Sequence, residues 1–201
     1  NRIGEFTFGG TIELVIFGGL LSGLVAGVAW VIVKTWVPDR AWVVGIATTA
    51  IGGTALIQSD NRDFTILSGP APDIALLVSL AFLFGLAIHW LDGLLDRHLP
   101  GAGSSALAAP YGILSLAALP LASPLFRSFF TEDGCFCADP DVWTGVGLVV
   151  AGIASAIWWV LDARGVAEAP LWLRWLGRGG TALAVSAGLY YLSREITEIL
   201  G

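Results

Sequence analysis

The chain has 201 residues, 56% of them hydrophobic and 13% charged. Soluble domains carry about 25% charged residues, so this composition, with a mean hydropathy of +0.79, places the chain among integral membrane proteins. A net charge of −6 excludes the basic face that nucleic acid requires.

Residues 1–10 form a short amphipathic lead-in with Phe6 and Phe8. A first helix is predicted over 11–33, with Glu13 near its start and Lys34 just beyond its end. Residues 14–33 carry no charge, which meets the roughly 20 apolar residues needed to cross a bilayer. The run lacks a small-residue cleavage site, so it reads as a retained span and not as a signal peptide. Gly19, Gly23 and Gly27 recur every four residues and form one stripe, opposite Leu20, Leu21, Leu24, Val25 and Val28. In water each glycine would cost this helix roughly 1 kcal/mol relative to alanine. In lipid the stripe offers a smooth face for a neighbouring helix or a ligand.

A second helix is predicted over 41–58, rich in small residues (Gly45, Ala47, Thr48, Thr49, Gly52, Gly53), followed by a polar loop. The third, over 73–97, opens on Pro72 and Asp73, which suit a first turn. The fourth, over 106–122, contains Pro110 and Pro120, the latter placed to stop it. A long loop, 123–141, leads to a fifth helix over 142–161. The sixth covers 171–192, with Arg174 and Arg178 placed to snorkel, and a tail of apolar and acidic residues follows. The expected fold is all-α: a polytopic integral membrane protein, one domain over 1–201, folded as a compact bundle of six transmembrane helices. Lys34, Arg40, Arg97, Arg164, Arg174 and Arg178 fall on one side and outnumber Arg2, Arg62, Arg127 and Arg194 on the other. That favours the first side as cytoplasmic, and all tryptophans except Trp143 fall toward it.

The central thirds of these helices hold no ionisable residue, which disfavours a proton pump or ion channel. His89, Asp92 and Asp96 share one face of the third helix at i, i+3 and i+7. Two ligands on one helix are too few for a metal site, and Asp92 is expected to accept a hydrogen bond from His89. Glu13 is a first-turn carboxylate favoured by the helix dipole. Cys135 and Cys137 sit among Glu132, Asp133, Asp139 and Asp141. Those acids raise a thiol pKa, whereas redox catalysis needs it lowered, and a disulfide between residues two apart is strained. Nucleophile–base pairs, phosphate loops and metalloprotease motifs are absent. The chain therefore reads as a non-enzymatic lipid-binding protein that needs no cofactor. Its lipid would lie along Gly19, Gly23 and Gly27, with Glu13, His89 and Asp92 available to its hydroxyl at the groove mouth. Two alternatives stay open: a membrane thiol-redox enzyme using Cys135 and Cys137, and a small-solute transporter. Glycine-rich faces also suit a homo-oligomer, by analogy a trimer.

Two helix ends carry a resemblance. Leu95-Asp96-Arg97-His98-Leu99 resembles the Asp-Arg-His-Leu that ends a helix in the insulin-induced gene (Insig) proteins. Ile157-Trp158-Trp159-Val160-Leu161-Asp162-Ala163-Arg164 is similar to their Leu-Trp-Trp-x-Phe-Asp-Arg segment. The resemblance implies a bacterial Insig-like sensor or regulator in the inner (plasma) membrane, compact and six-helical. It further implies a sterol-like lipid or, in a bacterium, diacylglycerol held between the helices. Asp162 matches the family's aspartate that contacts a sterol-sensing protein partner.

Overall fold

A computed structural model of the chain describes residues 9, 12, 22–59, 69–98, 123, 127, 129–130 and 141–201. Among them there is no strand. Five helices follow in order: α1 (Ser22–Val33), α2 (Ala41–Leu56), α3 (Pro70–His98), α4 (Val142–Ala163) and α5 (Leu171–Leu200). Of these, α3 and α4 are long and apolar enough to cross a membrane. The helix expected at 106–122, together with Glu13, Gly19, Cys135 and Cys137, lies outside the described residues. Ser123 and Arg127 are helical where the sequence suggested loop.

Two helices exceed their expected limits for local reasons. The third starts at Pro70, because proline is tolerated in a first turn that has no intrahelical partner for its N–H. The last helix continues to Leu200, through the residues expected to form a tail. Leu192 and Glu195 extend its buried stripe, and Arg194 pairs with Glu198 one turn on, at 2.8 Å. The end of α2 fastens this last turn. Ser59 donates its backbone N–H to Glu195 Oε2 at 2.7 Å and its hydroxyl to Glu198 Oε2 at 3.0 Å. The bonds from Arg194 and Ser59 hold the Glu198 carboxyl below its ordinary range.

The central helix is α5. It packs antiparallel on α4 and alongside α2; α2 carries α3, and α1 leans on α4. Small residues make the contacts. A β-carbon at Gly147 of α4 would lie 2.5 Å from the Ala184 nitrogen and 2.6 Å from the Gly180 oxygen of α5. At Gly188 of α5 a β-carbon would strike the backbone of Ala50 in α2, and at Gly85 of α3 it would lie 2.7 Å from the Gly45 Cα. Backbone thus meets backbone along three helix pairs. That is how helices associate where the surroundings are as apolar as their side chains and close van der Waals packing must hold them.

The stripe on α1 behaves differently. β-carbons built at Gly23 and Gly27 meet nothing within 4 Å. The described part of α1 contacts its neighbours through Trp30, Ile32 and Val33, which pack toward Leu148 and Ala184. The alternating course gathers Trp30, Trp36, Trp42, Trp90, Trp158, Trp159, Trp172 and Trp175 at one end of the bundle and leaves Trp143 at the other.

Candidate functional site

A crevice of about 570 Å³ opens sideways between α2, α3 and α5. Its described lining is Ile46 and Thr49 of α2, Val78, Ser79, Phe82 and Leu83 of α3, and Leu189 of α5. Its position follows from the pins on either side. Gly45 and Gly85 press α2 and α3 together, with the Phe82 ring against Gly45. Toward the opposite end, α2, α3 and α5 close again through Ile57, Ile74 and Leu192. Between these points α3 stands away from α5. The two hydroxyls in the wall turn back on their own helices: Thr49 donates to the Gly45 carbonyl at 2.8 Å and Ser79 to the Ala75 carbonyl at 2.7 Å. The crevice therefore offers hydrocarbon and no charge.

His89 and Asp92, expected at a groove mouth, belong to a separate cluster at the tryptophan-rich end. Asp92 lies 13 residues beyond Ser79, roughly 20 Å along the helix axis. Their shared face meets the connection between α1 and α2. Lys34 Nζ donates to Asp92 at 3.0 and 3.2 Å and lies 4.0 Å from Asp96. His89 Nδ1 stands 3.6 Å from an Asp39 oxygen. The expected hydrogen bond from His89 to Asp92 is replaced by the lysine, which the i, i+3 spacing alone could not reveal. Of the candidate ligand residues, Gly23, Gly27, His89 and Asp92 are described, and none of them lines the crevice.

Trp36 lies at the tryptophan-rich end, as expected, but is buried within the fold. Its indole covers Gly177 of α5, where any β-carbon would enter the ring. Trp36 Nε1 donates to Ser155 Oγ at 2.8 Å, and Ser155 in turn donates to the Ile32 carbonyl at 2.6 Å. One relay thus ties the end of α1 to α4 over the start of α5. The only legible signal was a serine inside an apolar span, which asks for a partner.

Both helix ends that carry the family resemblance are capped structures. His98 Nδ1 donates to the Leu94 carbonyl at 2.8 Å. At the end of α4, Gly165 takes a φ of +83°, with Gly165 N–H on the Asp162 carbonyl at 2.8 Å and Val166 N–H on Leu161 at 3.1 Å. This is a Schellman turn, which needs glycine at that position. It leaves the Asp162 side chain exposed. No family model, curated protein or solved structure matches the chain.

At the opposite end Asp141 caps α4, its Oδ1 accepting from the Thr144 N–H at 3.0 Å. It is buried, and its Oδ2 has no hydrogen-bond partner among the described residues. Burial pushes its carboxyl above the ordinary value of 3.8, against the smaller opposing effect of the Thr144 bonds. A raised native pKa favours the protonated fold, so this group's contribution to stability is lost as pH rises from 3.8 through the native value. Asp141→Asn keeps a capping oxygen and is expected to abolish that slope. Asp141→Ala is expected to cost about 1 kcal/mol through the lost cap. Unfolding of the three proteins across acid and neutral pH checks both; a wild-type slope retained in Asp141→Asn would refute the assignment.

Proposed function

We propose that the chain is a six-span membrane protein that holds the hydrocarbon body of a lipid in the crevice between α2, α3 and α5, without catalysing a reaction. The crevice carries this reading. Its volume lies within the ~300–1,000 Å³ of small-molecule sites; its walls are apolar and it opens on the side of the bundle. The exposure of α3 supports a bilayer around it: only 17% of its most apolar stretch is buried, with Leu76, Leu80, Leu83 and Phe84 exposed. Soluble monomers rarely expose apolar patches of that extent. The similarity of residues 95–99 and 157–164 to the Insig proteins points the same way, toward a sensor occupied by a diacylglycerol- or sterol-like molecule. On that reading the exposed Asp162 is available to a protein partner.

Filling the crevice tests the reading. Ser79 is exposed, so Ser79→Phe places a ring in the crevice without disturbing the core. Mass spectrometry of the purified protein is expected to find one lipid species near one copy per chain. Ser79→Phe should lose at least four-fifths of it at unchanged melting temperature. A wild type that retains no lipid, or a variant that retains as much, defeats the proposal.

A further inference from the structure

We infer that the end of α4 is a second lipid site, one that takes an anionic phospholipid by its phosphodiester. The inference rests on α4 being a membrane span, but not on the crevice between α2, α3 and α5. A separate groove of about 400 Å³ runs along α4, its described lining being Ala156, Ile157, Val160, Leu161 and Arg164. The spacing puts these residues on one face, apolar for two turns and closed by a guanidinium. With 22 residues, α4 is roughly 33 Å long, so its last residues reach the headgroup layer of a bilayer whose hydrocarbon is about 30 Å thick. The groove would hold an acyl chain and Arg164 the phosphate.

Charge decides the class of lipid. The Arg164 backbone is used in the turn at Gly165, but its guanidinium has no carboxylate within 4.0 Å among the described residues. Two of the other cations at this end, Arg174 and Lys34, have carboxylate partners. Arg174 pairs with Glu168 at 2.7 Å and Lys34 with Asp92 and Asp96, while His89 Nδ1 lies 3.6 Å from an Asp39 oxygen. Among the described residues of this end, six cations (Lys34, Arg40, Arg97, Arg164, Arg174 and Arg178) stand against five carboxylates (Asp39, Asp92, Asp96, Asp162 and Glu168). Asp162 is two positions from Arg164, and residues two apart on a helix face different ways. The surplus is one positive charge, at the depth where phosphates lie, and the arginine fork of Arg164, which has no carboxylate partner among the described residues, matches a phosphate oxygen pair.

The test is native mass spectrometry of the intact chain titrated with dioleoyl phosphatidylglycerol or dioleoyl phosphatidylcholine. The wild type is expected to bind the anionic lipid about five-fold more tightly or better, the contribution of one basic group at a membrane surface. Arg164→Gln should abolish the preference, Arg164→Lys should keep part of it, and Ala156→Trp, which fills the groove from an exposed position, should weaken binding. Millimolar inorganic phosphate should leave the lipid bound. Equal binding of the two lipids, an unchanged preference in Arg164→Gln, or displacement by free phosphate overturns the site. Ser79→Phe should preserve the preference; its loss there would move the anionic lipid to the crevice and also overturn the site. Failure of the membrane reading shows separately, as a wild type that does not float with phosphatidylcholine vesicles.

Discussion

Leucine at Gly180 is expected to force α4 from α5, whereas leucine at Gly179 is expected to be accepted. The two positions are adjacent and chemically identical, yet they face opposite surroundings. A β-carbon at Gly180 would lie 2.8 Å from the Ala151 nitrogen and 2.9 Å from the Gly147 oxygen, while one at Gly179 meets nothing within 4 Å. The obstacle at Gly180 is backbone, which cannot turn aside as a side chain can. Inserting bulk into a packed site costs about 1–3 kcal/mol and more where nothing can yield, so a loss of about 3 kcal/mol or greater is expected for Gly180→Leu. On the proposed membrane reading this loss is not recovered elsewhere, because helices separated in lipid regain only contacts with acyl chains. Gly179→Leu should fall within about 1 kcal/mol of wild type, helped by leucine's better helix propensity. Thermal unfolding of both variants in one detergent decides the matter. Equal melting temperatures would mean that the contact between α4 and α5 is not where the bundle gets its stability.

The same pair of glycines shows what could be read from the sequence and what could not. The uncharged apolar run over 142–161 predicts α4 to within two residues of its observed end at Ala163, because hydropathy is local. The spacing at Gly19, Gly23 and Gly27 suggests a smooth face, but spacing names a face and not its partner; β-carbons at Gly23 and Gly27 meet no neighbour. The close glycine contacts lie instead at Gly45 with Gly85, Gly147 with Gly180, and Gly188 with Ala50. Each joins residues distant in sequence. In α5 the buried residues Gly177, Gly180, Thr181, Ala184 and Gly188 recur at three and four, a stripe visible in the sequence but masked by its neighbours Arg174 and Arg178. The pairing of Lys34 with Asp92 was hidden for the same reason: a helix period shows which residues share a side, never what stands opposite. The crevice is further removed still. It is a gap between two tight contacts, set by how far α3 stands from α5, and no single residue type announces it.

Removing the Trp36 indole is the other large effect expected. The side chain is buried at 5% exposure, fills the space over Gly177 and packs with Ala151, Ala154 and Leu173. Truncating a buried tryptophan to alanine costs about 3–5 kcal/mol, and the upper part of that range is expected for Trp36→Ala because glycine opposite cannot fill the hole. A double-mutant cycle separates the hydrogen bond from the volume. Trp36→Phe removes the donor together with part of the buried indole, and the volume lost is the same whether residue 155 is serine or alanine. Ser155→Ala strands two groups at once: the Trp36 N–H, and the Ile32 carbonyl, which lies in the last turn of α1 where helix carbonyls lack intrahelical partners. Each orphaned polar group costs about 1–3 kcal/mol, so Ser155→Ala should destabilise although it removes a single oxygen atom. In the double variant the indole donor is gone and cannot be stranded. Its loss should therefore fall short of the sum of the two single losses by about 1 kcal/mol, the signature of a shared bond. Strict additivity in that cycle would mean that tryptophan and serine act independently. The turn between α1 and α2 would then hang on Lys34 and Asp92, an ion pair half open to its surroundings, and added salt would loosen it as readily as any substitution.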